Sequence, residues 1–182
     1  SILQKYNILK SDNSEPIWTG VNPDRDSGYN ILDEGSEAKS MNELSHMEEI
    51  LRIAETILGE YPYIFPEMVP RFQPPNDPVF LTLSHQDRYF FEDSIEFYAA
   101  WTPLMDMDES VGGLALAANS NKWGFDKGKY EFNPLLAAPG IPDDKIGDVT
   151  WLRSDYHIGD LLVFESTMVH KALPNTSDKV RL

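Results

Sequence analysis

The sequence predicts a mostly β fold, an antiparallel sandwich or barrel preceded by loops and a packing helix, and three observations carry that prediction. After Pro66, short apolar runs alternate with turn residues: Val79–Leu83, Ile95–Leu104, Gly113–Ala117, Val149–Leu152, Leu161–Phe164 and a last run at Val180. Runs of this length with no helical pattern between them are the mark of antiparallel β architecture. Before Pro66 only one segment has helical periodicity. The chain has 182 residues, enough for one sizeable core and few for two. A single domain over residues 1–182 is therefore expected, with N-terminal loops and a helix in 1–66 and the β core in 67–182.

Taken in order, residues 1–39 are polar and carry turn signals at Asn22-Pro23-Asp24 and Asp26-Ser27-Gly28, so loops with one short strand are expected. Ser40-Met41-Asn42-Glu43 reads as a capping box. Leu44, Met47, Leu51, Ala54 and Leu58 follow at helical spacing, Ile50 and Ile57 widen the stripe, and Gly59 can close the end. One apolar face suits a helix that packs on the outside of something larger. His46, among polar neighbours, reads as a surface residue. Within the β region, Asn121–Ile146 reads as a long loop over one end, and such loops are usually functional or mobile.

Composition narrows the function. Thirty acidic against fifteen basic residues give a formal charge of -15. A field of that sign repels phosphate backbones and anionic lipid, so nucleic acid and membranes are not expected partners. Cysteine is absent. That excludes disulfides, thiolate metal sites and a cysteine nucleophile, and it fits a reducing cytoplasm. No apolar run approaches the roughly 18 residues of a membrane span, and the polar first ten residues do not resemble a signal peptide. The chain starts at Ser1 rather than methionine and stops at Leu182 within an apolar run, so further segments are expected beyond these ends.

The chemistry concentrates at Ser84-His85-Gln86-Asp87, directly after the run Val79–Leu83. In a strand, residues two apart share a face, so His85 and Asp87 project together. A third metal ligand must come from elsewhere, and His170, which closes the run from Gly159, is the candidate. Two imidazoles and one carboxylate on one face leave three positions open, the arrangement of non-haem iron(II) sites that take a co-substrate and dioxygen. Arg181 stands eleven residues after His170, across the turn-rich Leu173–Asp178. A hairpin centred near Asn175–Thr176 would set residues 170 and 181 opposite one another, with Cβ atoms roughly 5 Å apart. The guanidinium would then reach the far carboxylate of a chelating dicarboxylate, which its planar fork suits. A zinc hydrolase has no use for such an arginine.

Other candidates read as structural. His157 sits at a strand end and is expected to be exposed. Asp106, Asp108 and Glu109 lack a nearby histidine and read as a solvated turn. Of Tyr89, Phe90, Phe91, Phe97, Tyr98 and Trp101, alternation assigns about half to the core, and the others could wall an organic substrate.

These motifs carry a resemblance. His85-Gln86-Asp87, Trp101-Thr102, Glu109–Leu114, Gly159–Phe164, His170-Lys171 and Pro174–Arg181 resemble the catalytic core of the phytanoyl-CoA dioxygenase family of iron(II)/2-oxoglutarate oxygenases, over a little more than half the chain. The resemblance implies a double-stranded β-helix (jelly-roll, cupin-like) core with iron(II) held by His85, Asp87 and His170. It also implies that Trp101 lies beside the 2-oxoglutarate, that Arg181 pairs with its distal carboxylate, and that Arg71 is a basic residue near the site. The implied reaction consumes dioxygen, converts 2-oxoglutarate to succinate, and hydroxylates or desaturates a small organic metabolite. Retention of Asp87 argues against halogenation, and the net acidity argues against an acyl-CoA. Two departures stand out: Asn119-Ser120-Asn121 where relatives carry Gly-Ser-His, and Ala172 where relatives carry a hydroxyl. The alternatives are a cupin-like metal enzyme that does not use 2-oxoglutarate, against which Arg181 counts, and a catalytically silent binding module, against which the intact triad counts.

Overall fold

The computed structural model describes residues 1–10, 15–66, 68–91 and 96–182, and the chain forms two compact units. One comprises Ser1–Ser11 with Thr19–Arg71, the other Asp12–Trp18 with Phe72–Leu182. Among the described residues no helix is long and apolar enough to cross a membrane.

The first unit is helical: α1 (Ile2–Lys5), α2 (Arg25–Ser36), α3 (Lys39–Ser45) and α4 (Glu48–Leu58). The expectation of loops and a strand over 1–39 is corrected here. Asp24 caps α2 by accepting the Ser27 N–H at 2.8 Å, so the segment Asp26-Ser27-Gly28 is a helix start and not a turn. Asp, Ser and Gly favour both settings, because their side chains or flexibility serve a first turn as well as a loop. Leu3, Ile8 and Ile31 are buried apolar side chains, and Glu34 joins α2 to Lys5 and to the Tyr6 hydroxyl at 2.7 Å each.

The single helix expected from Ser40 to Leu58 is two. Ala38, not Ser40, is the cap residue of α3, and the helix ends at His46, whose ring and the Ser45 hydroxyl both turn back onto the Asn42 carbonyl at 2.9 Å. Side chains that bond their own last turn compete with its continuation. Gly59 closes α4 in the left-handed region at φ 77°, as expected, and His46 is exposed.

The second unit is built on antiparallel pairs. β1 (Tyr98–Trp101) pairs with β6 (Leu162–Glu165) in the register Tyr98↔Glu165 to Trp101↔Leu162. β2 (Gly113–Ala117) lies between β5 (Trp151–Leu152) and β7 (His170–Leu173), with Gly113 opposite Leu173 and Leu116 opposite His170. β3 (Glu131–Asn133) and β4 (Ala138–Gly140) form a hairpin, followed by the short α5 (Asp143–Ile146). The loop expected over 121–146 is thus structured. Its strands escape notice because each has only three residues and their composition is mixed.

The expected strand Val79–Leu83 forms no ladder. It follows Pro78, which has no N–H to give, and makes single bonds to both sides: Ala172 N–H to Thr82 O at 3.0 Å, and Ile141 N–H to Ser84 O at 2.7 Å. The run at Val180 is likewise reduced to two bridges, Ile17↔Lys179 and Gln73↔Arg181. Ile95, the expected start of β1, lies outside the described residues.

Two apolar clusters fill this unit. Met105, Met107, Val111 and Tyr156 pack with Trp101, Leu162 and Leu182, while Ala117, Ile141 and Val169 pack with Tyr130, Ile146, Val149 and Trp151. β2 runs from the first cluster, at Gly113, to the second, at Ala117.

Candidate metal centre

Two short-range devices bring the triad together. His85 and His170 form an isolated antiparallel bridge, exchanging both backbone hydrogen bonds at 2.9 Å. Directly opposed residues share a face, so the two rings meet with centroids 4.2 Å apart. Gln86 between them in sequence is extended (φ -114°, ψ 133°), which returns Asp87 to the face of His85 even though Asp87 opens a 3-10 turn. Asp87 Oδ1 lies 3.3 Å from His85 Nε2 and 3.6 Å from His170 Nε2. Both histidines are 5% exposed and Asp87 is half-buried.

Tautomer follows from the hydrogen bonds. His85 Nδ1 lies 2.7 Å from Leu83 O, and His170 Nδ1 lies 3.0 Å from Met168 O. A carbonyl only accepts, so each Nδ1 carries a hydrogen, and a neutral ring then has its Nε2 lone pair toward Asp87. Two ring nitrogens and one carboxylate, all within 4.8 Å of one another, are a donor set that a divalent cation completes.

Residues that the sequence did not single out hold this arrangement. Gln86 is 3% exposed, and its side-chain amide donates to Gly124 O at 2.9 Å and to Thr167 O. The Gln86 N–H donates to the Tyr130 hydroxyl at 2.8 Å, and burial pushes that phenol up to about 12. Tyr130 stacks on Tyr89 with ring centroids 4.1 Å apart. Ser120, fully buried, accepts the Val169 N–H at 2.8 Å and donates to Met168 Sδ at 3.1 Å, fixing the approach to His170. The position of Gln86 between two ligands was the available signal. Nothing local marked Tyr130.

Arg181 is not opposite His170. Asn175 accounts for the difference: its amide donates to Lys179 O at 2.7 Å and Gln73 O at 3.0 Å, and its oxygen accepts from the Ser177 N–H and hydroxyl. The loop so formed carries the chain past a simple hairpin, and Arg181 pairs with Gln73 instead. Its guanidinium nevertheless returns to β7. Nη1 donates to Leu173 O at 2.5 Å, with Val111 O and Gly113 O at 3.5 Å. Leu173 is three residues from His170, roughly 10 Å along a strand.

This space is cut for the guanidinium. Gly112 has φ +93°, and a Cβ there would lie 2.9 Å from Arg181 Nη1 and 2.7 Å from Pro174 O, so only glycine fits. Burial alone lowers the guanidinium to about 10. Among the described residues no carboxylate comes within 4.0 Å of it. A partly buried cation without a protein counter-ion is costly unless a ligand supplies the anion.

Trp101 is half-buried, meets the Tyr156 ring edge-on at 4.9 Å, and packs in the cluster that contains Val111, whose carbonyl faces Arg181. Arg71 is an exposed residue of the first unit. His157 is exposed, as expected. Asp108 ties a turn by accepting from Ser110 and Val111, and the Ser110 hydroxyl bond holds its carboxyl below the ordinary range.

Two facing histidines and an aspartate thus converge in an antiparallel β unit, and the half-buried guanidinium of Arg181 reaches the far end of β7. The profile of the phytanoyl-CoA dioxygenase family (PhyH) matches residues 3–182, and the chain belongs to that family. It is similar to 1-deoxypentalenic acid 11-beta-hydroxylase of Streptomyces exfoliatus, 34% identical over 139 residues, which are 70% of this chain and 48% of that protein. The Streptomyces arenae protein of the same name is 35% identical over 135 residues, with the same coverage. The chain therefore spans about half the length of the curated relatives it matches. Among solved structures, EvdO2 from Micromonospora carbonacea var. aurantiaca, in complex with 2-oxoglutarate, shares the fold with a TM-score of 0.58 at 17% identity, over 79% of this chain and 60% of that one. The 2-oxoglutarate-dependent (alpha ketoglutarate dependent) epimerase SnoN from nogalamycin biosynthesis is similar at 0.52 and 19%, over 82% of this chain and 55% of that one.

Proposed function

We propose that the chain is the oxygenase domain of an iron(II)- and 2-oxoglutarate-dependent enzyme, with a double-stranded β-helix (jelly-roll, cupin-like) core. The observation that carries the reading is Arg181: a half-buried guanidinium with no carboxylate partner among the described residues, bonded to the Leu173 carbonyl of β7, the strand that begins at His170. A metal alone does not need that arginine. A chelating dicarboxylate does, because one end can bind the metal while the other receives the charge-assisted fork of Arg181. That EvdO2 binds 2-oxoglutarate on a shared fold supports the choice of dicarboxylate.

In this reading His85, Asp87 and His170 hold iron(II), which when bound supplies the activation of dioxygen for oxidation of the substrate. The chain's own residues do the rest. The locked Nδ1 hydrogen bonds aim both Nε2 atoms, and Arg181 orients the co-substrate through its distal carboxylate. Trp101 closes the apolar side of that subsite. Phe90, 55% exposed and 5.6 Å from the His85 ring, offers an apolar wall to the substrate. The overall stoichiometry is one substrate C–H, one dioxygen and one 2-oxoglutarate giving an alcohol, succinate and carbon dioxide; a desaturation would release water instead. The substrate is a small organic metabolite, in keeping with relatives named as hydroxylases of 1-deoxypentalenic acid, and a charge of -15 speaks against an acyl-CoA, nucleic acid or anionic membrane. The cysteine-free composition suits a reducing cytoplasm.

The test is direct. Iron(II) and 2-oxoglutarate added without oxygen should produce the weak visible charge-transfer band of the chelate, and admission of oxygen with a substrate should yield succinate. Absence of the band in a folded chain that binds iron(II) would overturn the assignment.

A further inference from the structure

Gln73 is 2% exposed and stands directly opposite Arg181. The two residues exchange both backbone hydrogen bonds, at 2.9 and 3.0 Å, so their side chains leave the same face with Cβ atoms roughly 5 Å apart. The orientation of the Gln73 amide is fixed, because Nε2 donates to Asp77 O at 3.0 Å and a carbonyl cannot donate. Its Oε1 is left as a buried acceptor with no partner among the described residues. Buried polar atoms without partners are rare enough that each calls for a reason.

Arg181 shows the complementary surplus. Nη1 takes the bonds to Leu173, Val111 and Gly113, and no bond from Nε or Nη2 is found among the described residues. A spare acceptor and spare donors thus leave one face from opposed positions. A carboxylate ligand cannot satisfy Oε1, since both groups only accept. The donors that the register brings to this face are those of the guanidinium.

We propose that Gln73 is a positioning residue for Arg181, its amide oxygen receiving a guanidinium N–H when Arg181 turns from the strand carbonyls to a bound carboxylate. Arg181 then has two seats: the carbonyls of Leu173, Val111 and Gly113, and a ligand-bound seat on Gln73. The proposal rests on the reading of Arg181 as a carboxylate-binding residue and adds a switch to it. Position 73 thereby sets the affinity for dicarboxylates without touching them.

The experiment compares two ligands on the iron(II)-loaded chain without oxygen: 2-oxoglutarate, and oxalate, which has the chelating head but no distal carboxylate. Gln73→Glu places a carboxylate opposite the guanidinium as a built-in competitor. The affinity for 2-oxoglutarate should fall by about tenfold or more while that for oxalate stays within about twofold. Gln73→Leu removes the acceptor without adding charge, and should weaken 2-oxoglutarate by roughly threefold to tenfold, again sparing oxalate. Should Gln73→Glu not fold, Gln73→Leu decides alone. Unchanged 2-oxoglutarate affinity in the folded variants, or equal losses for both ligands, would overturn the proposal. Arg181→Ala separates the two levels of inference: if it leaves 2-oxoglutarate binding intact, the co-substrate reading fails, and if it abolishes binding while the position-73 variants do not affect it, only the role of Gln73 fails.

Discussion

The His85–His170 bridge and the Gln73–Arg181 bridge are built alike and left in opposite states. Each is a two-residue antiparallel contact with both backbone bonds made, and each sets two polar side chains on one face. At the first, every N–H of the rings is engaged, and what remains are nitrogen lone pairs and a carboxylate. At the second, what remains are guanidinium N–H groups and a single acceptor. In the proposed reading the same backbone device presents a site for a cation at one place and a site for an anion at the other. A molecule that chelates a metal at one end and carries a carboxylate at the other answers both, and the difference between the bridges specifies the ligand better than either does alone.

The largest effect should come from breaking the first bridge. Asp87→Ala or His170→Ala removes one of three ligands and should lower iron(II) affinity by more than about 100-fold, read by titration with cobalt(II) or iron(II) absorption. Retained affinity would show that the metal sits elsewhere.

Breaking the second bridge should act on the co-substrate alone. Arg181→Ala should weaken 2-oxoglutarate by roughly two orders of magnitude at unchanged metal affinity, as measured by anaerobic calorimetry. Arg181→Met should have a second consequence. Burial lowers the guanidinium to about 10, so the fold disfavours the charged form. At neutral pH both folded and unfolded chains carry that proton, and the cost is fully present. It is relieved only as pH rises above about 10, where the unfolded chain binds more protons than the folded one. Arg181→Met should therefore stabilise the ligand-free protein by about 1–3 kcal/mol between pH 6 and 8, seen as a higher Tm.

Gln86→Leu has a smaller effect. It cuts the amide bonds to Gly124 and Thr167, and should reduce metal affinity by about tenfold while leaving the ratio of 2-oxoglutarate to oxalate affinity unchanged. The smallest effect belongs to Gly112→Ala, which sharpens the comparison by leaving both charges in place. A Cβ 2.9 Å from Nη1 obstructs the ligand-free seat on the strand carbonyls, and with that competing seat weakened 2-oxoglutarate affinity should rise by roughly threefold with the metal spared.

The two bridges also differ in how far they could be read from sequence. His85 and Asp87 were legible because an extended residue between them forces a shared face, and that rule needs no knowledge of the partner strand. His170 was legible as the end of an apolar run. The identity of Arg181 was legible too, but its register was not, because a pair of Asn175 amide bonds outweighs the local turn signals of Pro174–Asp178. Gln73 had no signal at all: a lone glutamine before two prolines becomes meaningful only when the chain end is laid against it. The same limits apply to the fold. Antiparallel pairs were foreseen from apolar runs, whereas the break at His46 and the helix start at Asp24 depend on side chains bonding their own backbone, which periodicity does not report.

The paired ring-to-carbonyl bonds of His85 and His170 have one more consequence. Each imidazole is anchored to the carbonyl two residues before it, so its torsion is frozen and its tautomer chosen by the chain alone. Capture of a metal then demands no ring rotation and no shuffling of the Nδ1 proton, and the entropy of arranging the ligands has already been spent in folding. The expected rate of metal uptake is therefore that of water loss from the incoming ion, with no search among side-chain conformers.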